Sequence, residues 1–326
     1  MEPYAHLTKQ GGRFVVEVNH EVVRELSIEA VDTFVLCGHI EVSYVAMEAC
    51  LRKGINLTWL SGAGAYFGRL ESTHHVDVLK QSQQFQLNRD LDFVTALRVE
   101  VLQSKISNQI TLLRRYNRER GNDHVEKSTN EMKKLMRKIQ PTIPLASMMG
   151  YEGMVAKLYF RSLGELVDAN FSFQNRSQQP PLDPFNSLLS FGYTLLMYDV
   201  YTAICNERLH PYLGFMHVLK QGHPALASDL MEEWRAIIVD SLVMALVQGH
   251  EIFPEDFDVD IDSGGVYLKN EKRKFFIEQY EKRMLRLNKY GDYQCTFREL
   301  MERQVRLYAK CLRENDGTLY KGIRIR

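Results

Sequence analysis

A chain of 326 residues, 45% hydrophobic, with 41 basic and 41 acidic side chains, carries enough apolar material for a substantial core without disulfide staples. Zero net charge excludes a global attraction to nucleic acid or membrane, so any basic binding surface must be local. No uninterrupted apolar run of about 18 residues occurs, and the first residues lack a basic-then-apolar signal pattern; both point to a cytoplasmic protein with no membrane span. Cys37, Cys50, Cys205, Cys295 and Cys311 are scattered without a C-x-x-C pair, which suits buried free thiols better than a disulfide framework or a thiolate zinc site.

In chain order, residues 14–18, 22–26, 32–38, 55–62 and 65–71 are β-branched and aromatic runs separated by turn residues, which predicts strands. Within them, VSYVAMEACLRKG places Val42, Val45, Ala46 and Ala49 at helical spacing and stops on Gly54, predicting one helix packed on a sheet. From residue 85 onward the texture is helical to near the C-terminus. One long helix is predicted from DFVTALRVEVLQSKISNQITLLRRYNRER, with Val94, Leu97, Val101, Ile106, Ile110 and Leu113 repeating along it. Others are predicted over 129–139, 152–167 and 186–205. PPLDP at 180–184 reads as a loop, because proline lacks an amide donor and restricts the residue before it. The fold class is therefore α+β, with a small N-terminal β-rich domain over 1–80 and a larger all-α domain over 85–326.

Residues 214–235, GFMHVLKQGHPALASDLMEEWR, place His217, Asp229 and Glu232 inside a stretch otherwise suited to a helical core. Pro224 suits a first helical turn; Asp229 and Glu232, three apart, share one face, and Leu230, Trp234, Ile237 and Ile238 take the other. Read singly, the two acids are a solvated face ahead of Arg235, and His217 is a satisfied core histidine. Glu152 adds a third carboxylate. It heads a stripe continued by Val155, Tyr159 and Leu163 and so points inward, although it also reads as a helix-start glutamate favoured by the macrodipole. An unpaired buried carboxylate is costly, and a cation is one standard way to offset that cost. One imidazole with two carboxylates suits Mn²⁺ or Mg²⁺ better than structural zinc. Spacing leaves open whether residues 152 and 217 meet.

Clustered Lys and Arg at 113–120, including Arg114 and Arg115, and at 133–138 and 269–276 are candidate phosphate contacts; each also reads as an ordinary solvated helix face.

The chain resembles the CRISPR-associated protein 1 family, the integrase of spacer acquisition. The resemblance rests on GAYFGRL at 64–70, KISNQ at 105–109, MGYEG at 149–153, PPLDPFNSLLSFGY at 180–193, PYLGFMH at 211–217 and DLMEEWR at 229–235, all in the family's order. It implies an N-terminal β domain that dimerises and an α-helical catalytic domain. It further implies a divalent metal, Mn²⁺ or Mg²⁺, held by residues matching Glu152, His217 and Glu232, with Asp229 as an accessory acid near the metal or orienting a ligand. Arg176 looks like the family's basic residue at a loop near the site, whereas Ser177, Gln178 and Gln179 stand where members often carry arginines. The implied reaction is a transesterification in which a DNA 3′-hydroxyl attacks a phosphodiester at the edge of a CRISPR repeat, carried out by a homodimer with DNA and CRISPR-associated protein 2 as partners. A catalytically silent DNA-binding scaffold of the same fold is the competing reading.

Overall fold

Apolar residues at period two build the first sheets. In the computed structural model, which describes residues 4–61, 66–171, 173–290 and 293–325, β1 (His6–Gln10), β2 (Arg13–Val18) and β3 (Glu21–Ser27) form an antiparallel meander. Next come β4 (Thr33–Cys37), β5 (Glu41–Val42), α1 (Tyr44–Lys53), β6 (Asn56–Leu60) and β7 (Tyr66–Leu70). The strand orders are β3-β2-β1-β5 and β4-β6-β7. The strand-rich expectation holds, but the strands divide between two sheets. Parallel strands need a long crossover, and α1 supplies it between β4 and β6. Ser43 caps α1 by accepting from the Ala46 amide, and Gly54 ends it at φ +68°, where a side chain would be strained. Leu7, Phe14, Leu36, Ala46, Ala49, Cys50 and Leu57 share one core, whereas Val45 faces out. Gly62, Gly64 and Ala65, part of the predicted strands and of GAYFGRL, lie outside the described residues.

The chain divides into two compact units, Met1–Val78 with Cys205–Leu209, and Leu79–Ile204 with His210–Arg326. In the second, α2 (Val78–Leu87) precedes α3 (Leu91–Arg120), a 30-residue helix capped by the Asp90 side chain and ended by Gly121 at φ +61°. α4 (Asp123–Lys138) starts earlier than the predicted 129, because the Asn122 side chain caps His124 and Val125 and extends the helix through a polar stretch without apolar rhythm. α5 (Leu145–Leu166) also starts early, after Pro144, so Glu152 lies in its third turn and not at its start. The macrodipole explanation for Glu152 therefore fails, since that field fades within the first turn.

α6 (Pro184–Asn206) follows PPLDP, whose last proline is already its first helical residue. By length and composition α6 could cross a membrane, yet 67% of its most apolar window is buried inside the protein. α7 (Ala225–Met231) leads into a π-helical stretch, Arg235–Asp240, and α8 (Ser241–Gln248). Gly192 of α6 lets that stretch pack close, because a Cβ there would lie 2.5 Å from Val239 Cγ1.

The α+β expectation, a strand-rich beginning followed by a larger helical part, holds, and beyond α8 the helical part also carries some strand. Two short hairpins, β8 (Phe257–Val259) with β9 (Val266–Leu268) and β10 (Leu287–Tyr290) with β11 (Tyr293–Thr296), flank α9 (Asn270–Met284) and precede α10 (Phe297–Glu314). The Asp-Ser-Gly-Gly turn at 262–265 was the sequence signal of the first. All five cysteines are buried, and none is in a disulfide.

Candidate active site

The loop carrying His217 is fixed from two sides. From α2 and α3, Gln84 donates to the His210 and Leu213 carbonyls, Asn88 to that of Gly214 and Arg98 to that of Phe215. From α7, fully buried Asp229 accepts the amides of Phe215 and Met216 on Oδ2 (2.6 and 2.9 Å) and that of His217 on Oδ1 (2.9 Å). The same Oδ1 lies 2.5 Å from His217 Nδ1. Gly214 is required at this fold-back, since a Cβ would stand 2.5 Å from Asp229 Oδ2. Asp229 therefore anchors the loop and orients the imidazole with both oxygens already engaged.

Glu232, one turn on, is 4% exposed and completes the group: its Oε1 lies 3.8 Å from His217 Nε2 and 3.1 Å from Arg235 Nη2. Its Oε2 lies 2.7 Å from Lys105 Nζ but without hydrogen-bond alignment. The same ammonium donates to Glu152 Oε1 at 2.6 Å. Glu152 and Glu232, far apart in sequence, thus meet at one lysine, and His217 adjoins the pair through Glu232. The solvated acidic face expected of an isolated D-x-x-E is absent: Asp229, Leu230, Glu232, Trp234, Ile237 and Ile238 are all buried.

Burial raises the pKa of Glu232, but the charges of Arg235, Lys105 and His217 outweigh it and hold the carboxyl at about 2. Burial lowers that of His217, while the hydrogen bond and charge of Asp229, helped by Glu232, carry it above the ordinary imidazole value. Burial likewise lowers that of Lys105, and the Glu232 and Glu152 charges more than restore it.

As they stand, no three His, Cys, Asp or Glu side chains among the described residues form a metal cage. The Lys105 ammonium instead lies in contact with both Glu152 and Glu232. The donor set itself is chemically apt: two carboxylates and an imidazole match Mn²⁺ or Mg²⁺, and Glu232 Oε2 is a buried oxygen without an aligned donor.

Arg176 is committed elsewhere. It donates to Asn186 Oδ1 (2.8 Å), Ser190 Oγ (3.0 Å) and the Ser177 carbonyl, tying its loop to α6. Its guanidinium and that of Arg235 lie 5.5 and 4.7 Å from the Tyr193 ring, which joins the two. The Tyr193 and Tyr159 hydroxyls both donate to buried Asp240 at 2.5 Å. Burial raises the Asp240 carboxyl to about 6.

Arg114 and Arg115 are exposed near the far end of α3, about 13 Å along the axis from Lys105. Arg114 makes a 3.4 Å contact with Asn130. In the 269–276 run, Lys269 and Lys272 are paired locally with Asp258 and Asp256, which weakens that segment as a phosphate grip.

Sequence reasoning assigned no role to Lys105, Asn108 or Glu233. Asn108 donates to the Glu233 and Ile323 carbonyls and accepts from the Ile325 amide. Glu233 accepts the Tyr320 hydroxyl and the Ile323 amide, and burial raises it to about 7. These bonds strap the C-terminal segment onto α3 beside Glu232. Lys105 and Asn108 sit three apart in KISNQ, a spacing that places both on one helical face.

The family profile described as CRISPR associated protein Cas1 matches residues 1–282. The chain is 32% identical over 317 residues to CRISPR-associated endonuclease Cas1 3 of Thermus thermophilus, covering 96% of this chain and 92% of that protein. Among solved structures, a Cas6-RT-Cas1–Cas2 complex superposes with a TM-score of 0.86 at 22% identity, over 100% of this chain and 36% of that one. A casposase bound to integration product superposes with a TM-score of 0.80 at 17% identity, over 100% and 94%. At such identities the structural likenesses establish the fold. The family match over most of the sequence establishes more: the chain belongs to the CRISPR-associated protein Cas1 family.

Proposed function

We propose that this protein is a divalent-metal-dependent DNA endonuclease and integrase that joins short DNA fragments into a CRISPR repeat array by phosphodiester transesterification. The observation carrying this reading is the meeting of Glu152 and Glu232 on one ammonium, with His217 Nε2 3.8 Å from Glu232 Oε1. The endonuclease name of the Thermus relative and the integration product held by the structurally similar casposase support it.

Glu152 and Glu232 would hold the ion with His217 Nε2. A bound Mn²⁺ or Mg²⁺ supplies Lewis-acid polarisation of a phosphoryl oxygen and offsets charge developing on the attacking and leaving oxygens. Asp229 acts on the histidine: accepting from Nδ1–H, it fixes the tautomer that leaves Nε2 free to ligate, and it holds the backbone amides of residues 215–217 leading into that ring. It is a positioning residue in this reading and not an accessory ligand. Arg235, on Glu232 Oε1, keeps that buried carboxylate ionised and in place.

DNA would lie across the exposed arginines of α3, Arg114 and Arg115, held by phosphate contacts independent of sequence. Homodimerisation through the first unit is supported by exposed Val22 and Val23 on edge strand β3 and by exposed Val35 and Phe67 on β4 and β7. CRISPR-associated protein 2 is the proposed partner, supported by the fold shared with a Cas1–Cas2 complex.

The silent-scaffold reading is favoured by one observation, the lysine already neutralising the two glutamates. Strand joining on a repeat-containing duplex with Mn²⁺ separates the two. Wild type should join and Glu152→Ala should not; joining absent from wild type, or unaffected by the substitution, defeats the enzyme reading.

A further inference from the structure

Lys105 is 12% exposed and bridges the two carboxylates proposed as ligands, at 2.6 Å from Glu152 and 2.7 Å from Glu232. Its bond to Glu152 is aligned, whereas buried Glu232 Oε2 receives charge without an aligned donor. An ammonium on a flexible four-carbon stem is a mobile point charge, unlike a guanidinium fork. Two acids drawn onto one ammonium are already placed for a shared cation. A divalent ion and the ammonium on the same pair of oxygens would confront each other as like charges where solvent screening is weak.

We propose that Lys105 is an exchangeable counter-ion. In the metal-free protein it holds Glu152 and Glu232 together, and a divalent ion enters by displacing it. Without Lys105 the two carboxylates would repel, so the lysine preserves the ligand arrangement until metal arrives. The apparent metal affinity is then lowered by the small fraction of molecules in which the ammonium has moved aside. Once displaced, the ammonium remains tethered to α3 beside the ion. The inference rests on the metal reading above.

Two measurements on the full chain test it at fixed pH. In wild type, reductive methylation of Lys105, read by mass spectrometry against exposed lysines, should accelerate severalfold at saturating Mn²⁺. Titration followed by the electron paramagnetic resonance signal of free Mn²⁺ should give Lys105→Gln about tenfold tighter binding than wild type if the lysine-out state is a ~10% minority. Lys105→Arg, which keeps a cation, should bind no more tightly than wild type. Unchanged Lys105 labelling in Mn²⁺-saturated wild type, or weaker Mn²⁺ binding by folded Lys105→Gln, overturns the exchange and makes Lys105 a fixed support of the site. Mn²⁺ binding by neither wild type nor Lys105→Gln overturns the metal reading and the exchange together. The labelling arm needs no variant and is independent of any variant's folding.

Discussion

Replacing Asp229 by asparagine tests the loop that presents His217. The aspartate is fully buried and serves four donors: the Phe215 and Met216 amides on one oxygen, and the His217 amide and imidazole on the other. Asparagine keeps one acceptor oxygen; with that oxygen on the Phe215 and Met216 amides, its amino group faces His217, where the imidazole can switch tautomer and accept but the His217 amide loses its partner. An orphaned donor costs about 1–3 kcal/mol of local stability. Hydrogen–deuterium exchange over residues 213–218 reads this directly. Amide protection there should fall at least about fivefold, since ~1.4 kcal/mol is a factor of ten, while α10 keeps its protection. Mn²⁺ binding should weaken in parallel as His217 loses its orientation. Protection at 215–217 changing by less than a factor of about five, or loss of under ~1 kcal/mol, would refute the assignment of Asp229 as anchor.

Gly322→Ala should loosen the C-terminal strap, because the new Cβ would stand 2.0 Å from Ser104 Oγ and 3.0 Å from the Glu100 carbonyl; a loss of about 1–3 kcal/mol in urea unfolding is expected. Asp240 binds a proton more tightly folded than unfolded, with its carboxyl raised from 3.8 to about 6. Its contribution is therefore complete below pH 4 and lost as pH rises toward 6, by up to roughly 3 kcal/mol. Asp240→Asn should flatten the stability profile across that window. Arg114→Ala and Arg115→Ala should each weaken DNA binding without regard to sequence and reduce the slope of log affinity against log salt by about one phosphate contact. A slope equal to wild type for both would remove that face of α3 from the DNA path.

The division into a strand-rich beginning and a helical remainder was legible because period-two and helical patterns differ plainly, and Gly54 and Gly121 mark helix ends by backbone physics that sequence reveals. The starts of α4 and α5 were not. Asn122 and Pro144 set them ahead of the first apolar repeat, so hydrophobic periodicity alone misplaced both and left Glu152 at a helix start it does not occupy. The short hairpins around α9 were hidden by strands of three or four residues, too brief to show a period.

At the site, His217, Asp229 and Glu232 stood out as polar residues in an apolar stretch, and their convergence follows from one loop folding back on α7. Lys105 was invisible to that reasoning. Its position on α3 matters only once α5 and α7 bring their carboxylates to it, and no local pattern encodes such a tertiary meeting. The partners of Arg176 were hidden for a related cause: a lone arginine beside prolines gives no sign in sequence that Asn186 and Ser190 hold it.

Anomalous scattering at the manganese absorption edge from Mn²⁺-soaked crystals tests the central claim most directly. The account predicts one strong peak in each copy, ligated by Glu152, His217 and Glu232, with the Lys105 ammonium moved out of the space between the glutamates. A peak bound elsewhere, or an empty site with Lys105 still bridging both carboxylates at saturating Mn²⁺, would contradict it.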